Sequence, residues 1–144
     1  MKPYRVWLVD DDVDDVFLAK SAAKQLANRV DLASLSSGRE LLQSIQEVDE
    51  SEMPDLVLLD LNMPGLNGLQ VLEQRRANLK KFVHVPMVVL STADNSEQIK
   101  ECYRLGASAY VVKPSEFEDF VVALGRIFDF WLLTNSRLSQ SATS

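Results

Sequence analysis

Leu56-Val57-Leu58-Leu59-Asp60-Leu61-Asn62-Met63-Pro64-Gly65 is an unbroken apolar run that stops on a carboxylate and then turns. A run of this kind, set between helix-like stretches, reads as a strand buried on both faces of a parallel sheet. Three more segments have the same build. Val6 to Val9 runs into Asp10 and Asp11, Met87 to Leu90 into Ser91, and Tyr110 to Val112 into Lys113. In a parallel sheet the C-terminal strand ends share one edge, so these carboxylates, hydroxyl and amine converge there. An acidic cluster with one amine and one hydroxyl suits a divalent cation and a phosphoryl group.

Working outward, the elements alternate. Strands are expected at Tyr4 to Val9, Val30 to Leu35, Asp55 to Asp60, Met87 to Ser91 and Ala109 to Val112. Helices are expected at Val13 to Ala27, from Ser37-Gly38 through Val48, from about Leu66 to Ala77, at Asp94 to Leu105, and from Ser115 to Leu133. Their apolar residues recur at helical spacing, as in Leu41, Leu42, Ile45 and Val48. Met53-Pro54 breaks the second helix, and Gly106 stops the fourth with a left-handed cap. Five strands alternating with five helices make an α/β domain, expected over residues 1–133, with residues 134–144 as a small-residue polar tail.

At 144 residues the chain is long enough for one well-cored domain. Its hydrophobic fraction of 47% and charged fraction of 25% are those of an average globular protein. A net charge of −6 disfavours direct binding to nucleic acid, which needs a basic footprint. No apolar stretch approaches the ~20 residues of a membrane span, and the N-terminus enters a strand with no secretory signal. The lone Cys102 excludes an internal disulfide, and a cytoplasmic location is expected. Cys102 itself reads as a small buried residue.

Taken together, Leu8-Val9-Asp10-Asp11, Asp60 to Gly68, Ser91-Thr92-Ala93, and Gly106-Ala107 followed by Tyr110-Val111-Val112-Lys113-Pro114 resemble a response-regulator receiver domain. The resemblance covers residues 4–132 with every motif in order, and it is specific because all the motifs occur at once. It implies a flavodoxin-like, doubly wound, five-stranded parallel sheet of order 2-1-3-4-5 with five helices. It also implies a stand-alone, chemotaxis-regulator-like member of two-component signalling. The Asp-Asp-Asp-Val-Asp-Asp opening at residues 10–15 and the Phe-Trp near the C-terminus resemble single-domain regulators that partner phytochrome-type or other hybrid kinases.

The resemblance assigns roles residue by residue. Asp60 accepts a phosphoryl group from a sensor histidine kinase, a hybrid kinase or a phosphotransfer protein. Asp11, Asp60 and the backbone carbonyl of Asn62 ligate Mg²⁺ (or Mn²⁺), with Asp10 acting through water. Without the cation three carboxylates crowd one pocket, and like charges ~4 Å apart repel by roughly 4 kcal/mol at an effective dielectric near 20. Lys113 offsets part of this and then holds a phosphoryl oxygen; Ser91 offers its hydroxyl to another. Tyr110 matches the aromatic that turns inward as the hydroxyl moves, which would reshape the face of the fourth helix, fifth strand and fifth helix for a downstream protein target or a homodimer. A cis bond before Pro114 is expected to aim Lys113. Ala93 has no polar group to orient a hydrolytic water beside Asn62, so the phosphoryl group is expected to last at least minutes.

Plainer readings stand beside these. Asp14 and Asp15 read as capping or solvated acids of the first helix, and Asp12 as a minor electrostatic contributor. Either Ser91 or Thr92 could supply the hydroxyl; alignment on Pro86 selects Ser91. Tyr110 could be an ordinary core aromatic. His84, the single histidine, reads as structural or solvated, and Trp7 and Trp131 as packing groups. The last helix is apolar nearly all round, which fits either core or a partner surface.

The chain is expected to act as a binding module, with no enzymatic turnover beyond self-phosphorylation and autodephosphorylation. A Mg²⁺-dependent phosphohydrolase of the haloacid-dehalogenase kind is the alternative. Such enzymes want an acid two residues past the nucleophile, where this chain has Asn62, and a nucleophile on the first strand. A flavodoxin-like FMN carrier would need a Ser/Thr/Gly-rich loop where this chain has carboxylates.

Overall fold

A computed structural model describes residues 2–26, 29–63, 65, 67–78 and 82–134. The order of elements is β1 (Tyr4–Val9), α1 (Val13–Lys24), β2 (Val30–Leu35), α2 (Gly38–Glu47), β3 (Leu56–Asp60), α3 (Gly68–Asn78), β4 (Met87–Ser91), α4 (Ser96–Arg104), β5 (Ala109–Val112) and α5 (Phe117–Phe128). All strand pairs are parallel, and the sheet order is β2-β1-β3-β4-β5. This is the doubly wound, flavodoxin-like arrangement expected.

The central strands are apolar throughout because helices cover both faces. Every residue of β3 and β4 is buried. On one face Val9, Val57, Leu59 and Val89 pack with Leu41 and Ile45 of α2, Leu72 of α3 and Phe82. On the other Val6, Leu8, Leu58 and Leu90 pack with Ala19, Ala22 and Ala23 of α1 and Phe120, Leu124 and Phe128 of α5. The small alanines let α1 pack closely on this face. Each fully buried Leu or Phe contributes about 1.5–3 kcal/mol, so this frame is stiff. Trp7 packs against Phe82 with ring centroids 6.5 Å apart, and Cys102 is fully buried, as expected of both. Burial pushes the Cys102 thiol up to about 11, so it is inert at neutral pH.

Several element ends differ from expectation. A 3₁₀ turn at Glu50–Glu52 precedes β3. In α1 the last regular residue is Lys24, short of Leu26. At the start of α4 Asn95 is the cap, accepting from Gln98 N–H at 2.8 Å, so the helix begins two residues later than Asp94. Beyond Phe128 the chain turns π-helical over Asp129–Thr134, where Phe130 and Trp131 meet edge to face. Gly106 does take positive φ, at 99°. Among the described residues no peptide bond is cis, so Lys113–Pro114 is trans, contrary to expectation, and Lys113 is aimed by its ion pairs. Ala27, Leu66 and residues 135–144 of the expected tail lie outside the described residues.

Candidate functional site

The C-terminal edge of the sheet gathers the expected groups. Asp10, at the exit of β1, is 2% exposed, and its Oδ1 accepts the Asp12 N–H at 2.9 Å. Asp60, the last residue of β3, is 4% exposed, and its Oδ1 accepts the Asn62 N–H at 3.2 Å. Leu61, the next residue, packs closely against the start of α3. A Cβ on Gly68 would come within 2.6 Å of Leu61 Cδ1 and 2.9 Å of Leu61 Cα, so only glycine lets α3 begin against that loop. Asn67 caps α3 by accepting the Gln70 N–H at 3.0 Å.

Carboxylate oxygens of Asp10, Asp11 and Asp60 all lie within 4.8 Å of one another. Asp11 is exposed, so the cluster opens to solvent on one side. Hard oxygen donors at this spacing fit a small divalent cation that keeps part of its water shell. Burial pushes the Asp10 carboxyl up to about 7; Asp60 and Asp15 add to the rise, while the Asp12 N–H and Lys113 oppose it.

Lys113, one residue past β5, is the counter-charge. Its Nζ lies 2.7 Å from Asp15, 3.4 Å from Asp10 and 3.4 Å from Asp60, with the side chain only 10% exposed. Burial works to lower the ammonium pKa, but the Asp15 hydrogen bond and the three carboxylates outweigh it, and the net shift is upward. Asp15, expected as a capping or solvated acid, is instead the nearest partner of Lys113. Asp12, expected to add only a diffuse field, is the cap of α1 and accepts from the N–H groups of Asp14 and Asp15. Asp14 is exposed, as expected.

Ser91 is fully buried, whereas Thr92 is exposed at the pocket rim. The Ser91 Oγ accepts from Ala93 N at 3.1 Å, Gln98 Nε2 at 3.3 Å and Asn62 Nδ2 at 3.4 Å. Tyr110 Oη donates to the Ala93 carbonyl at 2.6 Å and accepts from Gln98 Nε2 at 2.8 Å. The Tyr110 hydroxyl is thus already turned toward the loop after β4. His84 is exposed. Sequence reasoning missed Asp15 and Gln98. The signal for Gln98 was present: with Asn95 as cap, Gln98 is the third helical residue and faces back toward the strand ends.

The model of the response regulator receiver domain matches residues 6–125. The chain is 36% identical over 113 residues to the nitrate/nitrite response regulator protein NarL of Escherichia coli, a match covering 78% of this chain and 50% of NarL. It thus spans about half the length of that relative. It is 31% identical over 135 residues to response regulator Rcp1 of Synechocystis sp., covering 92% and 91% of the two. Among solved structures, the phosphorylated cyanobacterial phytochrome response regulator RcpA matches with a TM-score of 0.84 at 29% identity over 95% of this chain and 99% of that one. The Mn²⁺-bound form of Rcp1 matches at 0.81 and 30% identity over 95% of this chain and 100% of that one. Among the described residues no helix is long and apolar enough to cross a membrane. With fold, acidic cluster and motif order in agreement, this chain belongs to the family of response regulator receiver domains of two-component signalling.

Proposed function

We propose that Asp60 accepts a phosphoryl group from a phosphohistidine and that the new charge remodels the face formed by α4, β5 and α5. The observation that carries this reading is the buried Asp60 beside Asp10 and Asp11, with Lys113 3.4 Å away. The Asn62 N–H and Lys113 both engage Oδ1, leaving Oδ2 to attack phosphorus in line. A P–O bond forms as the P–N bond breaks, and its electron pair stays on the donor imidazole. Asp11, Asp60 and the Asn62 carbonyl would hold Mg²⁺, with Asp10 reaching it through water; bound there, the ion neutralises charge on the phosphoryl oxygens. Lys113 and the Ser91 hydroxyl take the remaining oxygens.

The donor in this reading is a sensor histidine kinase, a hybrid kinase or a phosphotransfer protein. The similarity to RcpA, a phytochrome response regulator, favours a phytochrome-type kinase among these. The output is a protein target or a second copy bound at the remodelled face. The chain stores the group and does not turn over substrate.

Acetyl phosphate and Mg²⁺ provide the test, read by intact mass. One equivalent is expected on the wild type and none on Asp60→Asn. A wild type that never gains the group, or many turnovers on a generic phosphate ester, would overturn the reading. After desalting, the group is expected to persist for minutes, because Ala93 puts no polar side chain beside Asn62; loss within seconds counts against that.

A further inference from the structure

The carboxamide of Gln98 has two protons, and both are committed: one to Ser91 Oγ at 3.3 Å, the other to Tyr110 Oη at 2.8 Å. Gln98 is the only α4 side chain among the described residues with a hydrogen bond to either hydroxyl. Its own backbone is fixed by the Asn95 cap, so the first turn of α4 is tied through one side chain to both β4 and β5. Three N–H groups converge on Ser91 Oγ, one more than its two lone pairs can take at full strength, and its proton is left for another acceptor.

The geometry points to Gln98 as the positioning residue that couples the state of Asp60 to α4. This rests on the phosphoryl-accepting reading above. In the unmodified chain Gln98 holds the Ser91 hydroxyl as a donor and keeps Tyr110 on the Ala93 carbonyl. When the Ser91 hydroxyl turns to donate to a phosphoryl oxygen, the bonds from Gln98 at 3.3 Å and Asn62 at 3.4 Å, the two longest to Ser91 Oγ, are the ones that lengthen. Of the two bonds made by the Gln98 carboxamide, the one to Tyr110 then remains. No bond to Asp60 is needed for the signal to leave the site.

The coupling is read by amide hydrogen exchange over residues 95–100 of the full chain, with Mg²⁺ and beryllofluoride as the phosphoryl mimic. In the wild type the mimic is expected to speed exchange there by about fivefold, the scale of one lost hydrogen bond. Gln98→Leu is expected to exchange at the faster rate from the start and to change little on adding the mimic. Gln98→Glu, close in shape, accepts the Ser91 proton instead of donating, and should slow acetyl-phosphate labelling by about tenfold. A Leu variant that responds like the wild type, or a Glu variant labelled at the wild-type rate, overturns the role of Gln98. A wild type labelled on Asp60 without any response in α4 overturns the coupling and leaves the phosphoryl-accepting reading intact. A wild type never labelled removes both.

Discussion

Asp10 is the residue at which stability and function pull apart. Its carboxyl sits at about 7, raised chiefly by burial and further by Asp60 and Asp15. In the unfolded chain an aspartate titrates near 3.9. Between those values the native state binds a proton that the unfolded state does not, so stability present at low pH is lost as pH rises toward 7. Metal-free protein should therefore resist urea better at pH 5 than at pH 8. The difference is expected to be about 1 kcal/mol once screening through the open side of the cluster is allowed for. Asp10→Asn should be more stable than the wild type at pH 8, with the gap closing as the pH falls. A urea series in EDTA checks this, and equal slopes for the two proteins would refute it. Asp15 was hidden in the sequence for a different reason. Its pairing with Lys113 spans 98 residues of sequence, so its place in the first turn of α1 pointed only to a capping or solvated acid.

The strands were the most legible elements. Four of the five have the ends expected of them, and β3 starts one residue later, at Leu56; the wholly buried β3 and β4 each stop on a polar residue, Asp60 and Ser91, that finds its partners at the strand end. Helix ends were less legible, since caps and tertiary contacts decide them: Asn95 starts α4, and the backbone of α5 loosens into a π-helix after Phe128. Arginine contacts were invisible in the sequence. Arg75 of α3 donates through Nη1 to the Gly106 carbonyl at 2.9 Å and through Nη2 to those of Val83 and Val85 at 3.2 and 2.9 Å. Arg76 donates to the Arg104 carbonyl at 2.8 Å. These two side chains pin the C-terminal end of α4, where carbonyls lack helical partners. The N-terminal end is held by Gln98. A helix fixed at one end and releasable at the other pivots. Arg75→Met should cost about 2–3 kcal/mol, because it strips the donor from three carbonyls. Labelling of Asp60 should stay within about twofold of wild type, since the hydrogen bonds of Arg75 go to Gly106, Val83 and Val85 and not to the acidic cluster. A melting curve and a labelling time course on one sample decide it.

For the molecule as a whole, three carboxylates gathered on one sheet edge of a chain with net charge −6 work against folding. Lys113 answers only part of that repulsion, so a cation bound to the native edge should stabilise the entire domain. At a hundredfold excess over its dissociation constant, such an ion adds about 2.7 kcal/mol. For a domain of this size that is roughly a 10 °C rise in midpoint. The gain should be larger at pH 8 than at pH 5.5, because Asp10 must shed its proton for the cluster to carry its full charge, and binding competes with that proton. Removing one carboxylate, as in Asp60→Asn, should cut the rise by at least about half while leaving the fold intact, since the core on both sheet faces is untouched. General screening of an acidic surface would also raise the midpoint, so the comparison is Mg²⁺ against Na⁺ at matched ionic strength. Scanning calorimetry of wild type and variant under both salts separates the two effects. Equal shifts with Na⁺, or an unchanged Mg²⁺ response in the variant, would mean that the ion meets the surface generally and not the edge built by β1 and β3.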